Sequence, residues 1–162
     1  MKNNFSPKIL NIIVTLGVSI TCILFLGTPP IVTAFLKSQF SLLDHGLVMT
    51  ISSYLYLLEA PYVIALFKLK KLSSLVVKNN PFSIESVKSL KVISICSFSE
   101  LILVIGCKAY LTHSVKDFNN IPLAFPMLAL TVVCLTIGFL CLVLSQLFEI
   151  AIEIKEENDK TI

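Results

Sequence analysis

The sequence predicts an all-α integral membrane protein, a bundle of four transmembrane helices with both termini in the cytoplasm. Three observations carry this. The apolar residues come in long blocks without helical or strand alternation, which makes lipid the solvent for those blocks. Charged residues are 14% of the 162 residues and hydrophobic ones 56%, where a soluble domain carries roughly 25% charged residues. Lysines gather beside alternate gaps between the blocks. The length suits one membrane domain over 1–162 rather than two ordinary domains.

The first block, Ile9 to Gly27, is long enough for a ~30 Å hydrocarbon core at roughly 1.5 Å per residue. It exceeds the ~7–15 apolar residues of a signal peptide, so it reads as an uncleaved anchor despite the small residues around Val32-Thr33-Ala34. Pro29-Pro30 is expected to stop or kink this helix, which leaves Ile31 to Leu43 at the outer interface or packed over the bundle. The second span is Gly46 to Phe67, with Pro61 predicting a kink. A basic segment follows, with a loop expected at Leu72 to Pro81 and the whole of 68–91 on the cytoplasmic side. Ser83 reads as an N-cap for a helix that starts near Ile84 and runs into the third span, Val92 to Leu111. After a polar loop, His113 to Ile121, the fourth span covers Pro122 to Leu147 and continues as helix into an acidic cytoplasmic tail, 148–162.

Orientation follows from the lysines. Lys2, Lys8, Lys68, Lys70, Lys71, Lys78, Lys88, Lys91, Lys155 and Lys160 fall on one side of a four-span layout; Lys37, Lys108 and Lys116 fall on the other. The lysine-rich side is therefore expected to be cytoplasmic, with the protein in a bacterial plasma membrane. There is no arginine, whose planar fork suits bidentate phosphate and base contacts, so direct nucleic-acid binding is not expected. Cys22, Cys96, Cys107, Cys134 and Cys141 form no C-x-x-C pair and read as small buried hydrophobes.

Within the membrane the informative residues are two acids. Glu59 and Glu100 each lie eight residues from the inner end of an antiparallel span, at similar depth. Ser52 and Tyr56 share the face of Glu59, with Tyr62 close by; Ser97 shares the face of Glu100. Acids within spans are costly and point to function. As a pair they would hold a proton or a cation between them; in the plainer reading, each is neutral and hydrogen-bonds a serine or tyrosine of a neighbouring helix. His45, His113, Asp44 and Asp117 share the outer surface without metal-ligand spacing, so no metal and no cofactor are expected. Gly17 and Gly106 are candidates for close helix packing. Phe25, Tyr54, Tyr56, Tyr62 and Phe139 read as lipid or bundle contacts. No catalytic residues are identified, and an enzyme is not expected.

The cytoplasmic face is divided by charge. The segment holding Lys70 and Lys71 is basic, while the tail carries Glu149, Glu153, Glu156, Glu157 and Asp159 against Lys155 and Lys160. Acids at a helix C-terminus oppose the macrodipole and repel one another four apart, so the tail is expected to dock on the basic loop or on another molecule. Leu147, Ile150, Ala151 and Ile154 recur there at helical spacing.

Two stretches resemble a bacterial membrane family known as domain of unknown function 2975. One is Asn80-Pro81-Phe82-Ser83 followed by Val87-Lys88 and Leu90-Lys91; the other runs from Ala151 to the closing Glu157-Asn158-Asp159-Lys160-Thr161-Ile162. The family ends in a Glu-Asn-Asp-Leu-Thr-Ile-like sequence, and Lys160 stands where leucine is usual. The resemblance implies a four-span protein, often encoded beside a small helix-turn-helix regulator. From it follows the expectation of a regulatory or sensory partner of such a DNA-binding protein. Contacts would come from Glu153, Glu156, Glu157, Asn158, Asp159, Thr161 and Ile162, together with Lys70 and Lys71. The alternative is a small transporter, channel subunit or immunity protein that uses Glu59 and Glu100.

Overall fold

A computed structural model describes residues 5–39, 45–114 and 124–160. They form four helices: α1 (Phe5–Gln39), α2 (His45–Val77), α3 (Ile84–Ser114) and α4 (Ala124–Lys160). Each contains a segment long and apolar enough to cross a bilayer, and no strand occurs among the described residues. Large apolar side chains such as Leu26, Met49, Ile102 and Leu128 are exposed on the outer faces, as a helix bundle solvated by lipid requires. The four-span membrane architecture is thus as the apolar blocks predict.

Neighbours in sequence are neighbours in space. α1 packs on α2, α2 on α3 and α3 on α4; among the described residues α1 and α4 do not approach one another. Only five residues separate α1 from α2, too few to reach along the bundle at ~3.3–3.6 Å each, so the two helices run antiparallel. Tyr54 stacks on Tyr110 near one end of the α2–α3 pair, and Lys71 meets Glu85 near the other. Phe98 meets Phe139 and Lys91 meets Glu149 in the same antiparallel sense between α3 and α4. α3 is therefore central. Its Leu90 and Ile93 pack with Cys141 of α4 against Ala65, Leu72, Leu144 and Phe148, while its Cys107 and Leu111 pack against Ile51, Tyr54 and Leu58 of α2.

Small residues allow close approach, as is usual where lipid removes any water-driven force between helices. One such contact is at Gly138 of α4. A Cβ there would meet the Phe98 ring at 3.1 Å, and the buried Ser94 hydroxyl donates to the Gly138 carbonyl at 2.9 Å. Gly17 and Gly106, the glycines expected to serve this purpose, have no atom within 4 Å of a Cβ position. Cys96, Cys107, Cys134 and Cys141 are buried as expected; Cys22 is exposed on the outer face of α1.

Two local features depart from the sequence-based expectation. First, α1 does not stop at Pro29-Pro30 but continues to Gln39, and Val32 and Leu36 beyond the prolines are buried. A break would leave irregular backbone facing lipid, which helix continuity avoids. The Thr33 hydroxyl donates to Pro29 O at 2.8 Å within this stretch. The second span, by contrast, runs through Pro61 as expected. Second, Leu72 to Val77, expected as loop, is helical, so Lys68, Lys70 and Lys71 stand on α2 itself. The helix ends in a Schellman turn. Asn79 takes φ 57°, Asn80 N–H donates to Leu75 O at 3.0 Å and Asn79 N–H to Val76 O at 3.1 Å. Pro81 follows, and Ser83 caps α3 as predicted, its Oγ accepting from Ser86 N–H at 3.3 Å.

Candidate functional site

Two regions emerge from this framework: a polar level inside the membrane, and the lysine-rich end with the α4 extension. Helix α2 turns one stripe toward α3, with Ile51, Leu58, Ala65 and Leu72 at seven-residue spacing. The stripe one residue further round carries Ser52 and Glu59 and faces α1. There the Thr28 hydroxyl of α1 lies 3.1 Å from Glu59 Oε1 and also 3.1 Å from Leu24 O in its own helix. Phe25 and Tyr56 pack beside this contact with ring centroids 4.8 Å apart. Sequence reasoning missed Thr28, which is 4% exposed; its signal was a lone hydroxyl before two prolines, facing an acid-bearing span.

Glu100 lies at the level of Glu59 to within about a turn, as the flanking Tyr54–Tyr110 and Lys71–Glu85 contacts fix the register of α2 on α3. The two acids do not join. No hydrogen bond links them, and each has one buried oxygen, Oε2, with no partner. Glu100 sits nine residues from Lys91 and eight from Lys108, roughly 12–14 Å along the helix from either, which is near the middle of the span.

The polar neighbours expected for these acids make other bonds. Ser97 Oγ donates to Ile93 O at 3.0 Å rather than to Glu100. Ser52 is buried and its hydroxyl has no partner; Tyr56 meets Phe25. His113 is exposed in the last turn of α3 and His45 begins α2, while Asp44 and Asp117 lie outside the described residues. No cluster of three or more metal-binding side chains occurs among the described residues.

At the lysine-rich end the helices are cross-braced. Lys71 Nζ lies 3.5 Å from Glu85, tying α2 to α3, and Lys91 Nζ contacts both oxygens of Glu149 at 3.1 and 3.0 Å, tying α3 to α4. Phe82, in the turn before α3, packs on Phe148 at 4.9 Å. Of the acids in the tail, Glu149 thus meets a lysine of the basic segment. Beyond it α4 becomes more exposed. Ala151 and Ile152 are half-buried, and every residue from Glu153 to Lys160 is exposed, including Glu156, Glu157, Asn158 and Asp159. Ile150 and Ile154 are exposed beside them, and Lys70 is half-buried on α2. Thr161 and Ile162 lie outside the described residues.

Comparison with known proteins agrees with this architecture. The model of the family described as "Protein of unknown function (DUF2975)" matches residues 32–162. The uncharacterized membrane protein YoaS of Bacillus subtilis (strain 168) is 33% identical over 111 residues, covering 67% of this chain and 68% of the relative. No solved structure matches.

Proposed function

Because the chain belongs to the DUF2975 family of membrane proteins, we propose that it is a regulatory component of the bacterial plasma membrane that docks a small cytoplasmic DNA-binding regulator on the end of α4. In this reading the lysine-rich end faces the cytoplasm, as the distribution of lysines between the spans favours. No catalytic step is part of it.

The carrying observation is the exposed α4 extension. From Glu153 onward the helix presents acids to solvent, with Ile150 and Ile154 exposed on its flank. A helix with an apolar edge and an acidic surface suits a groove on a basic partner, and its charge favours rapid encounter with a DNA-binding domain. Phe82–Phe148 and Lys91–Glu149 anchor the base of the extension to α3, so movement among the spans would be carried to the docking element.

Removal of Glu156 to Ile162 tests the proposal. The truncated protein should insert normally, whereas a helix-turn-helix regulator encoded beside it should co-purify in mild detergent with the full chain only. Equal recovery of the regulator from both proteins would discard the proposal.

A further inference from the structure

We propose that Glu59, Thr28 and the Leu24 carbonyl form an intramembrane proton site, in which one acid proton on Glu59 clasps α1 to α2. This stands independently of the docking reading. It begins with a count of hydrogens. Thr28 Oγ1 is 3.1 Å from Leu24 O and 3.1 Å from Glu59 Oε1. A threonine hydroxyl has one hydrogen and two lone pairs, while a carbonyl and an ionised carboxylate both only accept. One hydrogen shared between two acceptors serves each weakly. A neutral Glu59 resolves the count: its O–H donates from Oε1 to Thr28 Oγ1, and Thr28 donates onward to Leu24 O. Each hydrogen then has its own acceptor, in a chain whose members polarise one another.

The surroundings favour the same assignment. Glu59 Oε2 is buried with no donor. In a neutral acid that oxygen is carbonyl-like, and burying it is far less unfavourable than burying a carboxylate. The nearest lysines along the two helices are Lys68, nine residues from Glu59, and Lys37, nine residues from Thr28, each about 13 Å along its axis. The other titratable groups near this level bring no positive charge. Tyr56 packs on Phe25, Tyr62 on α2 and Cys22 on α1 are exposed, and Glu100 on α3 is itself an acid. Ser52, two turns away on the same stripe of α2, is 6% exposed with an unpartnered hydroxyl, so the seam between α1 and α2 stays polar on that side.

Infrared spectroscopy of the full-length protein in phospholipid vesicles at neutral pH tests the proposal, because the carbonyl stretch of a protonated carboxylic acid is separate from carboxylate and amide bands. Glu59→Gln should remove one acid band that Glu100→Gln leaves in place. Thr28→Val should retain that band but move it to higher frequency, since the acid loses its acceptor. The Thr28→Val variant keeps Glu59, so it decides the matter even if Glu59→Gln folds poorly. An acid-carbonyl region unchanged by Glu59→Gln and by Thr28→Val would overturn the proposal.

Discussion

Lys91 of α3 grips Glu149 of α4 through both carboxylate oxygens, at 3.1 and 3.0 Å, although both side chains are about half exposed. Exposed pairs of this kind contribute little, about 0.2–1 kcal/mol, and are screened by salt. Their value here is positional, since they hold α4 on α3 where the acidic extension begins.

Lys91→Ala and Glu149→Ala should each lower stability only slightly, with a coupling below about 1 kcal/mol in a double-mutant cycle. Denaturant titration in detergent micelles at low and high salt measures this. A coupling that persists in high salt would show that the pair is more deeply shielded than its exposure implies.

At Gly138 α4 packs tightly against the Phe98 ring of α3, so added volume there should be poorly tolerated. Gly138→Leu forces the Phe98 ring aside and separates Ser94 from the Gly138 carbonyl. The expected loss is roughly 1–3 kcal/mol from overpacking. Ser94→Ala alone should lose about 0.6 kcal/mol, the average for an interhelical bond in a membrane. Combining Gly138→Ala with Phe98→Leu should recover most of any loss from Gly138→Ala; no recovery would mean that the ring is not what limits the approach.

Asn79 holds φ 57° at the end of α2. Asparagine tolerates that region and glycine is at ease in it, whereas a β-branched side chain clashes. Asn79→Gly should be neutral or mildly stabilising, and Asn79→Val should destabilise by about 1–2 kcal/mol. Thermal unfolding followed by circular dichroism separates the two; equal effects would argue against the left-handed turn.

Orientation can be read with single cysteines in a background lacking the five native ones. Cysteine in place of Lys70 or Lys155 should react with an impermeant maleimide only after cells are opened. Cysteine in place of Lys37 or Lys108 should react in intact cells. The reverse pattern would place the α4 extension outside and remove the cytoplasmic docking proposal.

The number and order of the helices were legible in the sequence because crossing a bilayer is a local property: an apolar run long enough to span it has no alternative to helix. The Ser83 cap was legible for the same reason, since its bond closes within three residues. The depth of Glu59 and Glu100 could also be counted along each span. What they touch could not. Thr28 and Glu59 are 31 residues apart, and whether they meet depends on how α1 and α2 are rotated about their axes. In a soluble protein an apolar stripe would announce that rotation. Here lipid is as apolar as the bundle interior, so the sequence carries little record of which face turns inward. Packing alone decided that Glu59 looks to Thr28 rather than to Glu100, that Gly138 rather than Gly17 or Gly106 lies tight against a neighbouring helix, and that Pro29-Pro30 lies inside a continuous helix.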